Sequence, residues 1–317
     1  MNLKIIPYEK EYEMQWDSWC SNSYNATFLH TRKFINYHQD RFLDRSILIY
    51  ENNKIVGLFP AAVCNDDSKL IISHPGLTYG GFLRNAEISG GKLIKVFEFI
   101  FLYFQKHGYK KIYYKSIPNI YHRTPSQDDI YALFRLNAKL IRVDLSCSIN
   151  LKEKNLPSSR RIRSLKKALK VVTLCDGDSY FSKFWDILCK NLESKHQAKP
   201  VHSLDEILFL KSQFPEEIKL KVALINNQVE AGVLIFCVNN VWHSQYIASS
   251  QIGYDHSALD AVFDSLISSS LSIGMQYFDF GTSNESFGTI LNDGLYTYKS
   301  EFGGGGIVHQ HFEINLN

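Results

Sequence analysis

The sequence predicts an α/β (α+β) protein with two tandem domains, each a mixed central sheet flanked by helices. One hairpin pattern occurs twice: Asn52-Asn53 and Asn226-Asn227 each separate two apolar runs, which favours a tight β-turn. An amphipathic helix, a glycine and a short aromatic strand follow each hairpin. These segments are 92–107, Gly108 and 112–114 in the first half, and 256–273, Gly274 and 277–280 in the second. A repeat of roughly 150 residues is much longer than the ~20–50 residues of solenoid units, so it indicates a duplicated domain.

The bulk composition is that of an ordinary globular protein. The 317 residues are enough for two domains with cores of their own, and 45% of them are hydrophobic and 21% charged. A net charge of +3 is weakly basic, which gives no reason to expect a nucleic-acid partner but suits a phosphate-bearing ligand. The chain is compatible with a monomer or a homodimer.

The cysteines and the apolar segments predict a cytoplasmic protein. The six cysteines are scattered without a CxxC motif, which is typical of reduced thiols, so neither disulfides nor a metal site is expected. Residues 1–7 lack the apolar core of a signal peptide. The longest apolar stretch, 96–104, is far shorter than the ~20 residues of a membrane span, so no stable membrane association is expected.

The first half contains, in chain order, two helices, a hairpin, a glycine-rich loop and a further helix-strand pair. Trp16 and Trp19 lie three residues apart on the first helix and are expected in the core, and Thr31 is a plausible cap for the second. Three glycines and a proline in loop 74–82 predict a fixed backbone that other groups approach closely. The predicted helices are 9–21, 31–39, 92–107 and 129–136, and the predicted strands are 45–50, 54–63, 69–73, 112–115 and 140–144.

The polar segment 150–159 is the expected boundary between domains 1–150 and 151–317. A basic helix, 160–170, follows it, and Ser203 with Glu206 three residues later forms a capping-box pattern. The remaining predicted helices are 180–193, 203–214 and 256–273, with a mixed loop and helix at 282–292. The predicted strands are 220–225, 229–238, 241–248, 276–281, 296–302 and 307–315, the last two separated by the glycines 303–306.

The order of elements in the second half resembles the GNAT N-acetyltransferase fold, and the tandem arrangement resembles its FemAB-like branch. Several strings are similar to those of nucleotide-sugar N-acyltransferases of this branch: 27–32, 74–76, 246–248, 279–285, 291–295 and 299–303. The resemblance implies two GNAT-like domains and an N-acyltransferase that moves an acyl group from acetyl-CoA or 3-hydroxybutanoyl-CoA to a nucleotide-linked amino sugar. The implied acceptor is a dTDP-3-amino-3,6-dideoxyhexose, used in surface-polysaccharide (lipopolysaccharide, O-antigen) synthesis.

The same resemblance implies that the C-terminal domain binds the CoA thioester. The pyrophosphate loop of single-domain GNAT proteins is usually Arg/Gln-x-x-Gly-x-Gly/Ala, and segment 248–258 does not match it. A loop of Ser and Gly before a helix can still bind pyrophosphate through backbone N–H groups. The expected CoA-binding residues are Ser249, Ser250, Gln251, Gly253, His256, Ser257 and Asn292.

Acyl transfer to an amine needs a proton acceptor, donors for the oxyanion and aligned substrates. Asp279, at a strand end beside a glycine, is the first candidate for base or amine anchor, and a helix cap is its alternative role. His202 has a suitable intrinsic pKa of roughly 6.5, although a lone loop histidine is more often structural or substrate-contacting than catalytic. Tyr246 lies on the strand whose GNAT counterpart runs beside the thioester. Strict alternation would place Tyr246 and His243 on opposite faces.

The acceptor is expected to meet loops from both halves. An aromatic ring to stack on a base and an arginine for a diphosphate suit a nucleotide sugar, whereas the cations of helix 160–170 form either a solvated face or a phosphate grip. The expected substrate-binding residues are His74, Tyr79, His122, Arg123, Lys195, His196, Asn284, Glu285 and Lys299.

Two alternatives remain at this point. One is a Fem-like aminoacyl-tRNA-dependent transferase acting on a peptidoglycan precursor, which the weak basicity disfavours. The other is a non-catalytic GNAT-like binding protein, which the nonmatching pyrophosphate loop favours.

Overall fold

The computed structural model describes residues 2–153 and 155–316, which divide into two units. Unit one comprises the described residues up to 145 together with 284–290 and 308–316, and unit two comprises those in 146–283 and 291–307. These units differ from the predicted ranges 1–150 and 151–317, because two later segments of the chain return to unit one.

The regular elements are as follows. The α-helices described are α1 (Glu13–Ser21), α2 (Arg32–Ile35), α3 (Gly90–Lys106), α4 (Asp128–Arg135), α5 (Ser159–Ala168), α6 (Phe181–His196), α7 (Leu204–Gln213), α8 (Gln251–Asp255), α9 (Ala258–Ser272) and α10 (Asp293–Ser300). The strands described are β1 (Leu3–Pro7), β2 (Ile47–Glu51), β3 (Lys54–Phe59), β4 (Ala62–Val63), β5 (Leu70–Ile72), β6 (Leu83–Arg84), β7 (Lys111–Lys115), β8 (Lys139–Asn150), β9 (Thr173–Asp176), β10 (Ile218–Ile225), β11 (Gln228–Val238), β12 (Val241–Ser249), β13 (Tyr277–Thr282), β14 (Asn284–Glu285), β15 (Ile290–Leu291) and β16 (Gly305–Asn315).

Unit one contains a four-stranded sheet in the order β1-β2-β3-β6 and a second run of strands in the order β4-β5-β7-β16. Helix α3 has an apolar face that repeats every three or four residues, which is typical of a helix packed on a core. Its buried residues join the same apolar cluster as Ile49 and Val56 of the hairpin and Ile112 of β7.

Unit two contains the strand order β8-β13-β12-β11-β10-β9. Helix α9 covers one face of this sheet, where Phe263 contacts Phe278 and Phe280 of β13. Helix α6 packs against Gly232 of β11, where a Cβ atom would lie 2.7 Å from the ring of Phe184. Since Val233 belongs to the α9 cluster and successive residues alternate, α6 lies on the opposite face of the sheet.

The duplicated hairpin is confirmed in detail. Asn52 and Asn53 have φ values of 49° and 64°, and Asn226 and Asn227 have 49° and 62°. Positive φ at both central residues is the signature of the type I′ turn, which matches the twist of a hairpin. Each hairpin then carries one extra residue at the third position of its second strand, Val56 in β3 and Glu230 in β11. The two halves therefore share a turn and a bulge as well as an order of elements.

The predicted helix 256–273 is confirmed as α9, which begins after Ser257, where a φ of 58° separates it from α8. One predicted strand is wrong. Segment 296–302, predicted as a strand, lies largely in α10, because Asn292 accepts a hydrogen bond from the Leu295 N–H and caps a helix. The strand was predicted from the spacing of the aromatic residues. Tyr298 and Phe302 are four residues apart, and residues at this spacing lie on the same face of a strand and also on the same face of a helix.

The turn geometry predicts different effects for two substitutions at Asn227. We expect Asn227→Val to lower the free energy of unfolding by about 1–2 kcal/mol, because a β-branched residue is strained at positive φ. Asn227→Gly should be close to neutral, since glycine adopts this conformation readily. Urea unfolding followed by circular dichroism compares the two variants, and equal stability would contradict the type I′ assignment.

Candidate functional site

The most distinctive feature of unit two is the point where its two parallel strands part. The ladder between β12 and β13 comprises three residue pairs and ends at His243 opposite Asp279. Strand β12 nevertheless continues to Ser249, and β13 continues to Thr282. Gly281, with a φ of 76°, lies just after the last pair, and a Cβ atom there would lie 3.5 Å from the His243 ring. Ionisable side chains of β12 and β13 thus lie where these two neighbouring strands separate.

Asp279 is fully buried, and both of its carboxylate oxygens are bonded. Nδ1 of His243 lies 2.7 Å from Oδ2, and the Ser146 hydroxyl donates to Oδ1 at 2.5 Å. A buried carboxylate needs such partners because removal from water disfavours its charge. The His243 side chain is 13% exposed, so the imidazole is the member of this group that reaches solvent.

His243 and Tyr246 lie on the same face of the sheet, and the prediction from alternation is wrong. His243 pairs with Phe236 and Tyr246 pairs with Leu234, which are two residues apart and share a face. The extra residue is Gln245, which forms a β-bulge in β12 and resets the alternation. His243, Tyr246 and Asp279 therefore all lie on the face that α6 covers.

Two of the predicted catalytic residues contact each other. The Tyr246 hydroxyl lies 2.6 Å from Nδ1 of His202, and the His202 N–H donates to the same oxygen at 3.2 Å. Trp185 of α6 packs edge-on against the Tyr246 ring at 5.2 Å. Burial raises the pKa of Tyr246 to about 12, so the phenol keeps its proton at neutral pH.

Lys299 of α10, predicted to bind substrate, is buried beside the same strand end. Its ammonium donates to the carbonyls of Gly281 at 2.9 Å and Thr282 at 2.7 Å. Desolvation lowers the pKa of Lys299 to about 8, and the negative charge of Asp279 opposes that shift. Lys299 therefore fixes the residues that directly follow Asp279.

In the segment expected to bind CoA, many polar groups form hydrogen bonds within the protein. The Ser250 side chain caps α8 by accepting from the Gly253 N–H at 3.0 Å, and the Ser250 N–H donates to the Glu230 carbonyl at 2.8 Å. The Ser250 hydroxyl also contacts the Glu230 carboxylate. Gly253 lies so close to Glu230 that a Cβ atom would be 2.3 Å from its carbonyl oxygen. An acidic side chain thus occupies the start of this helix.

The other expected CoA-binding residues have local structural roles. The Gln251 amide donates to Asp255 at 2.8 Å, and Ser249 donates weakly to the Glu230 carbonyl at 3.4 Å. His256 ends α8, Ser257 begins α9, and Asn292 caps α10.

In unit one, His74 and Tyr79 lie in the glycine-rich loop, whose backbone is closely approached as predicted: a Cβ atom at Gly80 would lie 1.7 Å from the Ser73 carbonyl oxygen. Tyr79 packs against Tyr121 with ring centroids 4.8 Å apart. Burial lowers the pKa of His74 well below its usual value and that of His122 to about 4, so both rings are neutral at pH 7.

The remaining predicted substrate-binding residues are dispersed. Arg123 donates to the carbonyls of Ser21 and Ser23 at the end of α1, which ties its guanidinium to the backbone. Asn284 accepts from the Leu145 N–H at 2.5 Å, and Glu285 is exposed. The side chains of Lys195 and His196 lie outside the described residues. The sequence singled out Asp279, Tyr246 and Lys299 but not Ser146, because no sequence signal links a residue of β8 to one of β13.

Among the described residues, no group of three His, Cys, Asp or Glu side chains is arranged to hold a metal ion. None of the helices in the same part of the chain has the length and apolarity needed to cross a membrane.

Comparison with known proteins identifies the fold. No protein-family model matches the chain, and no curated protein matches it by sequence. Among solved structures, FemX superposes with a TM-score of 0.69 at 11% identity, covering 99% of this chain and 98% of that one. The structure of L-PGS from Bacillus licheniformis gives a TM-score of 0.62 at 9% identity over 96% of this chain and 91% of that one. A tandem GNAT protein from the clavulanic acid pathway gives 0.52 at 7% identity over 100% and 99%. The predicted tandem GNAT-like, Fem-like fold is therefore confirmed.

The buried ammonium of Lys299 predicts a pH-dependent stability. Because its folded-state pKa is lowered from 10.5 to about 8, the unfolded chain binds more protons in that window, and this side chain's contribution to the free energy of unfolding rises with pH. We expect the stability difference between wild type and Lys299→Met to shift in favour of wild type by at most about 1.4 kcal/mol per pH unit. Urea titrations across the window measure it, with the exposed Lys170→Met as control. A pH-independent difference would contradict the assignment.

Proposed function

We propose that unit two transfers an acyl group from an activated carbonyl donor to a primary amine. The observation that carries this proposal is the pairing of His243 with the fully buried Asp279 where β12 and β13 part. An imidazole oriented by a buried carboxylate is a recurrent general base.

The proton acceptor in this proposal is His243. The bond from Nδ1 to Asp279 fixes the tautomer in which Nε2 carries the lone pair, so Nε2 takes the proton of the attacking amine. Asp279 has no exposed surface, and its oxygens are bonded to His243 and Ser146, which makes it a positioning residue. Its charge stabilises the imidazolium that forms. Asp279, the first candidate base from the sequence, thus acts through its neighbour.

Tyr246 and Lys299 complete the proposed machinery. The Tyr246 phenol stays protonated at neutral pH and lies on the same face as His243, which supports it as the acid that protonates the leaving group. His202, bonded to the phenol oxygen, orients it. Lys299 holds the backbone that follows Asp279 and adds a positive charge near the carboxylate.

The donor expected from the sequence is acetyl-CoA or 3-hydroxybutanoyl-CoA, with its diphosphate in segment 249–257. The residues there do not fit that group. The N–H groups of Ser250 and Gly253 are already bonded, and the Glu230 carboxylate would repel a diphosphate. No step is therefore assigned to CoA at this loop.

A second candidate donor is an aminoacyl ester such as aminoacyl-tRNA, which has no diphosphate to place beside the Glu230 carboxylate. The superposition on FemX supports this Fem-like alternative at the level of the fold. The acceptor we propose remains a nucleotide-linked amino sugar of the dTDP-3-amino-3,6-dideoxyhexose type, supported by strings 279–285 and 291–303. An amine on a peptidoglycan precursor is the acceptor that accompanies the aminoacyl donor.

Removal of the proposed base predicts a large loss of turnover. We expect His243→Gln to lower kcat by about 10²–10⁴-fold, which is the usual contribution of a general base, while substrate affinity changes little. Asp279→Asn should also lower kcat, because the imidazole loses the carboxylate that orients it. His107→Gln, an exposed histidine of unit one, is the control. If His243→Gln kept full activity, His243 would not be the general base.

Two assays run in parallel decide the donor. Thiol release is measured with acetyl-CoA and 3-hydroxybutanoyl-CoA against a panel of dTDP- and UDP-linked amino sugars, and transfer from labelled aminoacyl-tRNA is measured against the same panel and a peptidoglycan precursor. We expect transfer with one pairing, and Glu230→Gln should raise acyl-CoA turnover only if the diphosphate approaches α8. No transfer in any pairing would contradict the proposed acyltransferase.

A further inference from the structure

Unit one contains a groove that includes none of the candidate site residues described above. It has a volume of about 470 Å³ and lies between helix α1 and the tip of the β2–β3 hairpin. Trp19 lines it from the helix, and Asn53, Lys54 and Ile55 line it from the hairpin. The sequence placed Trp19 with Trp16 in the core. Trp16 is fully buried, but Trp19 is only half-buried and faces a different environment.

The lining of the groove is dominated by amide side chains. Gln15, Asn22, Asn53 and Asn85 each contribute a planar group with one acceptor oxygen and two donor hydrogens. Lys54 is the one charged side chain among the described residues that line the groove. The surface therefore offers many neutral hydrogen bonds and little net charge.

The hydrogen bonds of the groove hold its walls in place. The Trp19 indole N–H donates to the Ile55 carbonyl at 3.1 Å, which ties the helix to the hairpin. The Gln15 oxygen accepts from the Tyr50 hydroxyl at 3.1 Å, and the Asn85 oxygen accepts from the Glu87 N–H at 3.0 Å. Within the described chain, the NH₂ groups of Gln15 and Asn85 have no such partner, so they remain available to a ligand.

We infer that this groove binds a neutral oligosaccharide. The C–H face of a sugar ring carries a slight positive charge and packs favourably on the negative face of an indole. Its hydroxyls both donate and accept, which matches planar amides better than it matches carboxylates or clustered cations. Binding of a peptide usually requires apolar pockets for its side chains. This lining has few apolar groups, mainly Trp19 and Ile55, so it suits a peptide less well. The site goes beyond acyl transfer and involves no residue of unit two.

Calorimetry with the full chain tests this inference. Chitotetraose, cellotetraose and maltotetraose are titrated separately, with tetra-alanine as a peptide probe. We expect one of the sugars to bind with a Kd on the order of 0.1–1 mM, as small polar ligands commonly do. Trp19→Ala should weaken that binding about tenfold, because it removes the aromatic platform.

Two further variants guard against misfolding. Trp19→Ala also loses the bond to Ile55, so Trp19→Phe tests a ring without that bond and should retain more affinity than the alanine variant. Asn53→Gly keeps the left-handed turn and removes one amide, with an expected loss of about two- to tenfold. Met14→Ala, 86% exposed on the same helix and outside the lining, is the control and should bind as wild type.

The following outcomes would overturn the inference: no sugar binds at about 10 mM, which is well above the expected Kd; tetra-alanine binds instead; or Trp19→Ala and Asn53→Gly, both folded by circular dichroism, bind the sugar as tightly as wild type.

Discussion

The buried charge of Asp279 is the constraint on which the site depends. A carboxylate without any exposed surface is stable only when hydrogen bonds replace the water it has lost. His243 and Ser146 supply these bonds from strands on either side of β13, so three strands must keep their register for the charge to be tolerated. The hydrogen bonds that make the buried charge tolerable also orient the His243 imidazole. The same contacts therefore serve the stability of the fold and the proposed chemistry.

The features that could be predicted from the sequence are those that a few neighbouring residues determine. The Asn-Asn turns and the capping box of Ser203 and Glu206 are confirmed, because each is determined by a few neighbouring residues. The pairing of His243 with Asp279 was not predicted, since it depends on a register between distant strands. The bulge at Gln245 reversed the expected face of Tyr246, and a single inserted residue leaves no mark on an apolar pattern.

The two halves share backbone geometry and differ in the side chains placed on it. The hairpin bulge holds Val56 in unit one, where it joins the apolar core, and Glu230 in unit two, where it contacts the cap of α8. In unit one a different carboxylate, that of Asp128, accepts from the Gly90 N–H at the start of α3. Each half therefore has a carboxylate at the start of a helix. The two carboxylates come from different positions in the repeated fold, Asp128 in unit one and Glu230 in unit two.

The return of the chain to unit one affects the order in which a ribosome completes the two units. Strand β7 pairs with residues 311–315 of β16, so the sheet of unit one has an open edge until those residues have been made. The residues between 145 and 308 take roughly 10–30 s to synthesise at about 5–20 residues per second. The unit that begins first is thus finished last, and its exposed strand is a place where a nascent chain needs protection from aggregation.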